Sequence, residues 1–535
     1  MAQQNLAAAM VRQLAAWNVK VIFGVAGNDV LPFLDAVARE GSIRYIGAVH
    51  EAGAAFMASY WAKLTGELGV CLASAAGTIN LAEGLMDAYM DHAPVLAVTG
   101  QVATAKIGTR VKQYFDQQSL IKNCAFLSEP VTDAPSAQLL LVRAMSQALL
   151  RRTVTHLSVP FNLWNEKVDT KPGFFPALIR NGARLNGQIT GDLARTAALM
   201  RQARKPIVVV GRRGKDAGQA IRRLVTTWGA AVVVAQEAKG VIPDEWPEVL
   251  GGIGEAWTPS LLHECDCVLM IGSAGYEEKF LPKAPVIQIE NEPWQINEAY
   301  LWDSLAGDVP HIIETLMKYL GDYEGDPFWK DSISAARKER CNLIAADAAN
   351  GDRPVHPARL MAALNGVITG DAVITVDEGA FMHWFDRDFQ AAGQTVLMPS
   401  RWRSMGSGLP AALAAKIRYP DRQVVALVGD GGMLMSMGEL STAVKCNIPV
   451  TVIVVNNRLL ALEKDKMLAS GLVPLGVEVR SPDFSAYAWA SGAKGFLVED
   501  AAQLEGSLRA ALNLQAPAVV DVVCRDVKLP TVNLS

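Results

Sequence analysis

Short continuous runs of β-branched and apolar residues recur along the chain, and each is followed by a turn and then by apolar residues at helical spacing. Early runs are Val19-Lys20-Val21-Ile22-Phe23-Gly24, Gly69-Val70-Cys71-Leu72-Ala73 and Pro94-Val95-Leu96-Ala97-Val98-Thr99-Gly100. The middle supplies Pro206-Ile207-Val208-Val209-Val210-Gly211, Ala231-Val232-Val233-Val234 and Val286-Ile287-Gln288-Ile289. The end supplies Val424-Val425-Ala426-Leu427-Val428-Gly429, the run 450–455, and Ala518-Val519-Val520-Asp521-Val522-Val523. A strand that is apolar at every position is covered on both faces, and the helices between such strands supply the cover. The pattern therefore predicts an α/β protein of doubly wound, mainly parallel sheets. It breaks near 165–185, around Lys171-Pro172-Gly173, and near 321–357, where a charged helical segment runs to Gly351-Asp352-Arg353-Pro354. Reading these as linkers gives three domains, 1–165, 186–320 and 355–535.

Composition agrees with that division. A chain of 535 residues is too long for one core, and 50% hydrophobic with 19% charged residues leaves ample material to bury. The net charge of −4, with no basic block, argues against a nucleic-acid partner. The seven cysteines are scattered; the one close pair, Cys265-Asp266-Cys267, opens an apolar run and reads as a buried strand edge rather than a metal site. Reduced thiols suit the cytoplasm. The N-terminal 1–21 segment lacks the charged and apolar regions of a signal peptide, and no stretch approaches the roughly 20 apolar residues that span a bilayer. A soluble, cytoplasmic protein is expected.

The most informative segment follows the run at 424. Gly429-Asp430-Gly431-Gly432 opens a helical pattern, and the next run ends in Asn456-Asn457. Their separation suits one βαβ crossover, which puts Asp430 and Asn457 at the carboxyl ends of parallel strands, where ligands bind in open α/β sheets. A carboxylate and a side-chain amide suit a small hard cation, with phosphate oxygens and water completing its shell. Gly431 and Gly432 let a phosphate approach the N–H groups of a helix N-terminus. A glycine-rich turn and an unrelated Asn-Asn turn is the plain alternative; the two motifs together favour a diphosphate–metal site.

At these residues the sequence resembles the thiamine-diphosphate-dependent superfamily of acetolactate synthases, pyruvate oxidases and benzoylformate decarboxylases. The resemblance implies a pyrimidine-binding first domain, a central domain and a diphosphate-binding third domain. It implies magnesium held by Asp430, Asn457 and the carbonyl of Leu459, and a cofactor contacted by Gly379, Ala380, Gly429, Gly431 and Gly432. His50-Glu51-Ala52-Gly53, then Ser74-Ala75-Ala76-Gly77-Thr78 and His92-Ala93-Pro94, match the opening of the pyrimidine-binding domain, where the glutamate holds the cofactor's aminopyrimidine in its reactive tautomer. Taken alone, Glu51 is a helix N-terminal carboxylate favoured by the dipole. In Arg403-Ser404-Met405-Gly406, Met405 falls where the family places the apolar support that bends the cofactor; a gap-filling core methionine is the alternative. Glutamate and diphosphate site come from different subunits in this family, so a homodimer or homotetramer is implied.

The members differ in what captures the acyl fragment: a proton, a second carbonyl or an electron acceptor. Gln113, the run Gly476-Val477-Glu478 and Pro482-Asp483-Phe484 resemble pyruvate oxidase and acetolactate synthase, although Lys112 stands where a phenylalanine is usual. Lys112 either pairs with a substrate carboxylate or is a solvated surface lysine. His92, Asn28 and Glu378 lean toward benzoylformate-type decarboxylases and acyl lyases: His92 as a proton carrier titrating near neutrality or as a turn histidine, Asn28 for a pocket serine, Glu378 for a valine. Leu462 completes the expected substrate pocket. Gly251-Gly252-Ile253-Gly254 and Gly272-Ser273-Ala274-Gly275 either approach FAD or serve as structural glycines, and FAD is left open. With little sequence after the run at 518–523, no membrane-binding tail of the kind in quinone-linked oxidases is expected, which disfavours that activity. The expected activity is decarboxylation of a 2-oxo acid, pyruvate first, with carboligation of the acetolactate synthase type. The alternatives are non-oxidative decarboxylation or acyl lysis, and an FAD-dependent pyruvate oxidase.

Overall fold

The structure, a computed structural model, describes residues 3–169, 189–272, 280, 282–297, 301–351 and 353–530. Three six-stranded sheets, each parallel throughout, follow one another along the chain. In the first, the spatial order is Arg44–Gly47, Val21–Gly24, Gly69–Ala73, Val95–Gln101, Val154–Pro160, Leu127–Pro130. In the third it is Thr395–Leu397, Val373–Val376, Val424–Gly429, Thr451–Asn456, Ala518–Val523, Lys494–Val498. Numbered within its own sheet, each reads 2-1-3-4-6-5, so the two outer domains share one topology. The central sheet reads 3-2-1-4-5-6, beginning from Val249–Gly251 and ending at Leu301–Ala306, which is the order of dinucleotide-binding folds.

The unbroken apolar runs are explained by cover on both faces. In the first sheet Phe23 packs into one core and Ile22 into another; in the third, Ala426 and Val428 face one core and Val425 and Leu427 the opposite one. In the central sheet Val208 and Val210 face one core, Ile207 and Val209 the other. That second face is closed by the helix Pro327–Ala348, through Trp329, Ile333 and Ala336. The segment read as a charged linker thus hides a narrow apolar stripe that covers the central sheet. At the other break, Lys167–Asp169 pairs antiparallel with Gln3–Asn5, and residues 170–188 lie outside the described residues. Cys267 opens a buried strand, as the cysteine reading expects, and all seven cysteines are free. Among the described residues no helix is long and apolar enough to cross a membrane.

The first and third domains share one core. The helix Glu51–Thr65 is buried nearly all round and packs with the helix Gly408–Arg418 in one core rich in small residues, among them Ala54, Ala55 and Ala58 of the first and Ala411, Ala412 and Ala415 of the second. Small side chains let the helix backbones approach closely and add little side-chain entropy cost.

The central and third domains meet along a polar seam. The glycines at 251, 252 and 254 admit side chains from beyond the central sheet: a Cβ would lie 2.5 Å from the Arg340 guanidinium, 2.0 Å from the Asp386 carboxylate and 2.7 Å from His383 Nδ1, respectively. Lys239 reaches the Asp244 carboxylate at 3.0 Å and the Asp386 carbonyl at 2.9 Å. Among the described residues Asp386 Oδ1 finds no hydrogen-bond partner, and burial pushes this carboxyl up to about 7 despite Lys239. The folded chain therefore holds a proton here that the unfolded chain has already released between about pH 4 and 7. The Asp386 contribution favours folding at acid pH and is lost as pH rises through about 7. Asp386→Asn is expected to raise stability at pH 8 by roughly 1–3 kcal/mol and to gain little at pH 4, which thermal melts at the two pH values would show.

Candidate active site

Two sets of residues gather at two sheet edges. At the carboxyl edge of the third sheet, a cavity of about 110 Å³ is lined by Glu378, Gly379, Ala380, Met405, Gly429, Asp430, Gly431, Gly432, Asn457, Leu459 and Leu462, among others. Eleven expected residues therefore share one cavity. Asp430 is the first residue of the short helix Asp430–Ser436 and is only 3% exposed. Its Oδ2 lies 3.0 Å from the Ser481 hydroxyl, which is also 3.1 Å from Asn456 Oδ1; burial raises its pKa, and the compensating contacts come from neutral donors. A buried carboxylate served by neutral donors gains by binding a cation. Asn457 Oδ1 accepts from the Leu459 N–H at 3.2 Å, and Arg458 between them has a φ of 60°, a costly conformation for a side-chain-bearing residue. The turn is seated by hydrogen bonds from Leu460 N to Val477 O and from Val479 N to Arg458 O.

The glycines here do something narrower than expected. A Cβ on Gly431 would meet Met405 Cε at 2.7 Å, and one on Gly432 would meet Asp377 Oδ2 at 2.3 Å. Asp377 is the residue that sequence reasoning missed. Fully buried at the end of Val373–Val376, its carboxylate accepts from the N–H groups of Gly406, Ser407 and Glu378, and so pins the turn carrying Met405. Burial pushes it up to about 6. A lone aspartate at the end of an apolar strand was the available signal. Beside it, Glu378 is engaged by Arg403 through a two-point ion pair, Nε–Oε2 3.0 Å and Nη2–Oε1 3.2 Å.

The second set lies at the carboxyl edge of the first sheet. Glu51 begins its helix; its Oε2 accepts from Asn80 Nδ2 at 2.9 Å, and a Cβ on Gly77 would meet Oε1 at 2.3 Å, so that glycine makes room for the carboxylate. Glu439 of the third domain caps this helix, accepting from Val49 N at 3.2 Å and His50 N at 3.0 Å. Asn28 is exposed in the turn Asn28–Val30, next to Asp29, which accepts from Ala75 N at 2.7 Å. Lys112 and Gln113 are both exposed, Gln113 with a φ of 67°. None of these residues lines the Asp430 cavity.

His92, with a φ of 52°, lines a different and larger cavity of about 600 Å³ where the three domains meet, together with Arg213, Glu237, Gly254, His383, Arg401 and Arg403. Burial, then Arg401 and Arg213, push His92 down to about 4, so within the chain it does not titrate near neutrality as expected. Of the second glycine run, Gly272 packs against Gly214 and Ser273-Ala274-Gly275 lies outside the described residues. Among the described residues no group of three or more His, Cys, Asp or Glu side chains converges as a metal site.

Comparisons with known proteins bear on the same geometry. Family models described as the N-terminal, central and C-terminal domains of thiamine pyrophosphate enzymes match residues 4–120, 193–316 and 377–522. The chain is 32% identical to a putative thiamine pyrophosphate-containing protein, YdaP, of Bacillus subtilis, over 98% of this chain and 92% of that one. It is 26% identical to a pyruvate oxidase of Lactiplantibacillus plantarum (98% and 90% covered) and 29% identical to the acetolactate synthase isozyme 3 large subunit of Escherichia coli (94% and 91% covered).

Proposed function

We propose, from the premise that this chain belongs to the thiamine pyrophosphate enzyme family, that it decarboxylates a 2-oxo acid, pyruvate first, and joins the remaining acyl fragment to a second carbonyl compound. Its placement in the acetolactate synthase and pyruvate oxidase group of thiamine-dependent C–C lyases and transferases is the ground for that reading. The single observation that carries the site is the cavity joining Asp430, Asn457, Leu459 and Met405 at one sheet edge.

These residues fit the cofactor and its metal. Asp430, Asn457 and the Leu459 carbonyl offer the all-oxygen set that magnesium takes, and the buried Asp430 carboxylate has a charge to neutralise. The Gly429–Gly432 turn and the N-terminus of the helix Ala380–Asp388, behind Gly379, present backbone N–H groups for a diphosphate. Met405, pinned through Asp377, supplies an apolar support in the same cavity, its methyl beside Gly431. Thiamine diphosphate, when bound, supplies the carbon nucleophile and the electron sink for decarboxylation. Glu51 of the partner subunit holds the proton exchanged with a ring nitrogen of the aminopyrimidine. A second copy supplies Glu51 in this reading, because Glu51 is not among the residues that line the Asp430 cavity. Apolar side chains lie exposed beside both: Val49 and Ile79 near Glu51 (52% and 55%), and Met435 near Asp430 (67%). We place the working enzyme as a homodimer or homotetramer in the cytoplasm.

Capture by a proton is the alternative fate, with His92, whose pKa burial lowers to about 4, as the candidate donor through its ring N–H. An oxidase reading has its own support: the central sheet has the dinucleotide-binding order, and the large cavity at its edge is bordered by Ile253, Gly254 and Trp294. One experiment separates the readings. Pure protein is examined for flavin absorbance near 450 nm, roughly, then incubated with thiamine diphosphate, magnesium and a panel of 2-oxo acids while CO2 and the organic product are followed. A colourless protein giving a 2-hydroxy-2-alkyl-3-oxo acid supports ligation. A yellow protein giving an acetate-level product replaces it with oxidation, and a free aldehyde replaces it with simple decarboxylation.

A further inference from the structure

We infer that Glu439 is a positioning residue for Glu51: its buried carboxylate fixes the backbone just ahead of the helix Glu51–Thr65 and so sets the place of the Glu51 carboxylate. This rests on the reading in which Glu51 serves the aminopyrimidine. Glu439 is 2% exposed and opens the short helix Glu439–Lys445 of the third domain. It lines neither of the two cavities, so its effect on the reaction passes through another residue.

Burying a carboxylate is costly unless its oxygens are well served. Here the donors are backbone N–H groups of the segment that leads into Glu51. Oε1 accepts from His50 N at 3.0 Å and from Val49 N at 3.2 Å, and Oε2 from Val49 N at 3.3 Å. The Thr442 hydroxyl donates to Oε2 at 2.7 Å. Gly53 belongs to the same arrangement. A Cβ there would lie 2.4 Å from Glu439 Oε1, so the first turn of the Glu51 helix is cut away to admit this side chain. Ordinary capping does not ask for so much, because His50 Nδ1 already accepts from Ala52 N at 3.2 Å. The N–H groups that Glu439 takes lie before the helix begins.

The other end of the helix Glu439–Lys445 grips the same segment. Lys445 Nζ donates to the Gly47 carbonyl at 2.6 Å, so one seven-residue helix holds a carbonyl and two N–H groups within Gly47–His50. Of these four residues only Ala48 is buried, so polar contacts, more than apolar packing, seat the approach to Glu51. Glu439 follows the helix Asp430–Ser436 after a single turn. The side chain that places Glu51 is therefore carried by the stretch that begins at Asp430.

The test crosses Glu439 variants with Glu51→Gln in the whole enzyme, with thiamine diphosphate, magnesium and pyruvate. Glu439→Ala is expected to lower kcat about 10- to 100-fold, the cost of a displacement of roughly 1 Å, with KM changed less than about 2-fold. Made in Glu51→Gln, the same substitution should cost less than about 2-fold further, because the group it places is already gone. Glu439→Gln keeps an oxygen for His50 and Val49 and should retain most of the native kcat. Hydrogen exchange on the full chain without cofactor reads the placement directly. The Val49 and His50 amides should exchange about 10- to 100-fold faster in Glu439→Ala and near the native rate in Glu439→Gln. Should the alanine variant fail to fold, Gly53→Ala replaces it, since its Cβ displaces the carboxylate without removing it, and the same losses are expected. Equal losses with Glu51 present and replaced, or a lower kcat with unchanged exchange at Val49 and His50, overturn the positioning role. A Glu51→Gln enzyme with native turnover sinks the underlying reading instead, whatever Glu439 does.

Discussion

Glu51→Gln is expected to bind thiamine diphosphate about as well as the native enzyme while losing roughly two to four orders of magnitude in turnover. The substitution keeps the shape of the side chain and can keep the contact with Asn80 Nδ2, now 2.9 Å, but an amide cannot exchange the proton that the carboxyl would pass to the aminopyrimidine. Stability should hardly move. The helix loses one favourable carboxylate–dipole interaction worth about 0.3–1 kcal/mol, and its N-terminus remains capped by His50 and by Glu439. Steady-state turnover, cofactor titration and a thermal melt on the same preparation separate these effects. Unchanged turnover would remove Glu51 from the mechanism, and a collapsed melting temperature would mark it as structural.

Asp430→Ala is expected to weaken magnesium and diphosphate binding together, by at least about 10- to 100-fold in apparent affinity, with activity partly recovered at high magnesium. Unlike the loss at Glu51, this one should be titratable, because the remaining oxygens of Asn457 and Leu459 still offer a poor site. The native residue should also show a pH dependence. Burial raises the Asp430 carboxyl above its ordinary value, and the metal binds only the ionised form, so the magnesium requirement should steepen as the solution is acidified. A variant that binds both ligands like the native enzyme would exclude Asp430 from the metal site.

Much of this was legible before any coordinates because it is written locally. Runs apolar at every position foretell strands with two covered faces, and Ile22 and Phe23 do enter opposite cores. The Gly-Asp-Gly turn and the Asn-Asn turn are each short, and a single crossover relates them, so their meeting in one cavity followed from strand order. What escaped the reading acts across long stretches of chain. Glu439 reaches His50 over 389 positions, and Arg403 reaches Glu378 only after the backbone at 403 turns to a positive φ. The glycines at 251 and 252 look like those of a nucleotide loop, but their neighbours are Arg340 and Asp386, which no local pattern announces. The helix Pro327–Ala348 was obscured by its seven charged residues out of 22, since Trp329, Ile333 and Ala336 suffice to seat it.

The alanine-lined contact between the helices Glu51–Thr65 and Gly408–Arg418 gives an isolated chain a finished interior without any help from a twin. Under the proposed reading, in which a second copy supplies Glu51, folding and competence are uncoupled, and dilution is expected to silence such a protein before it unravels.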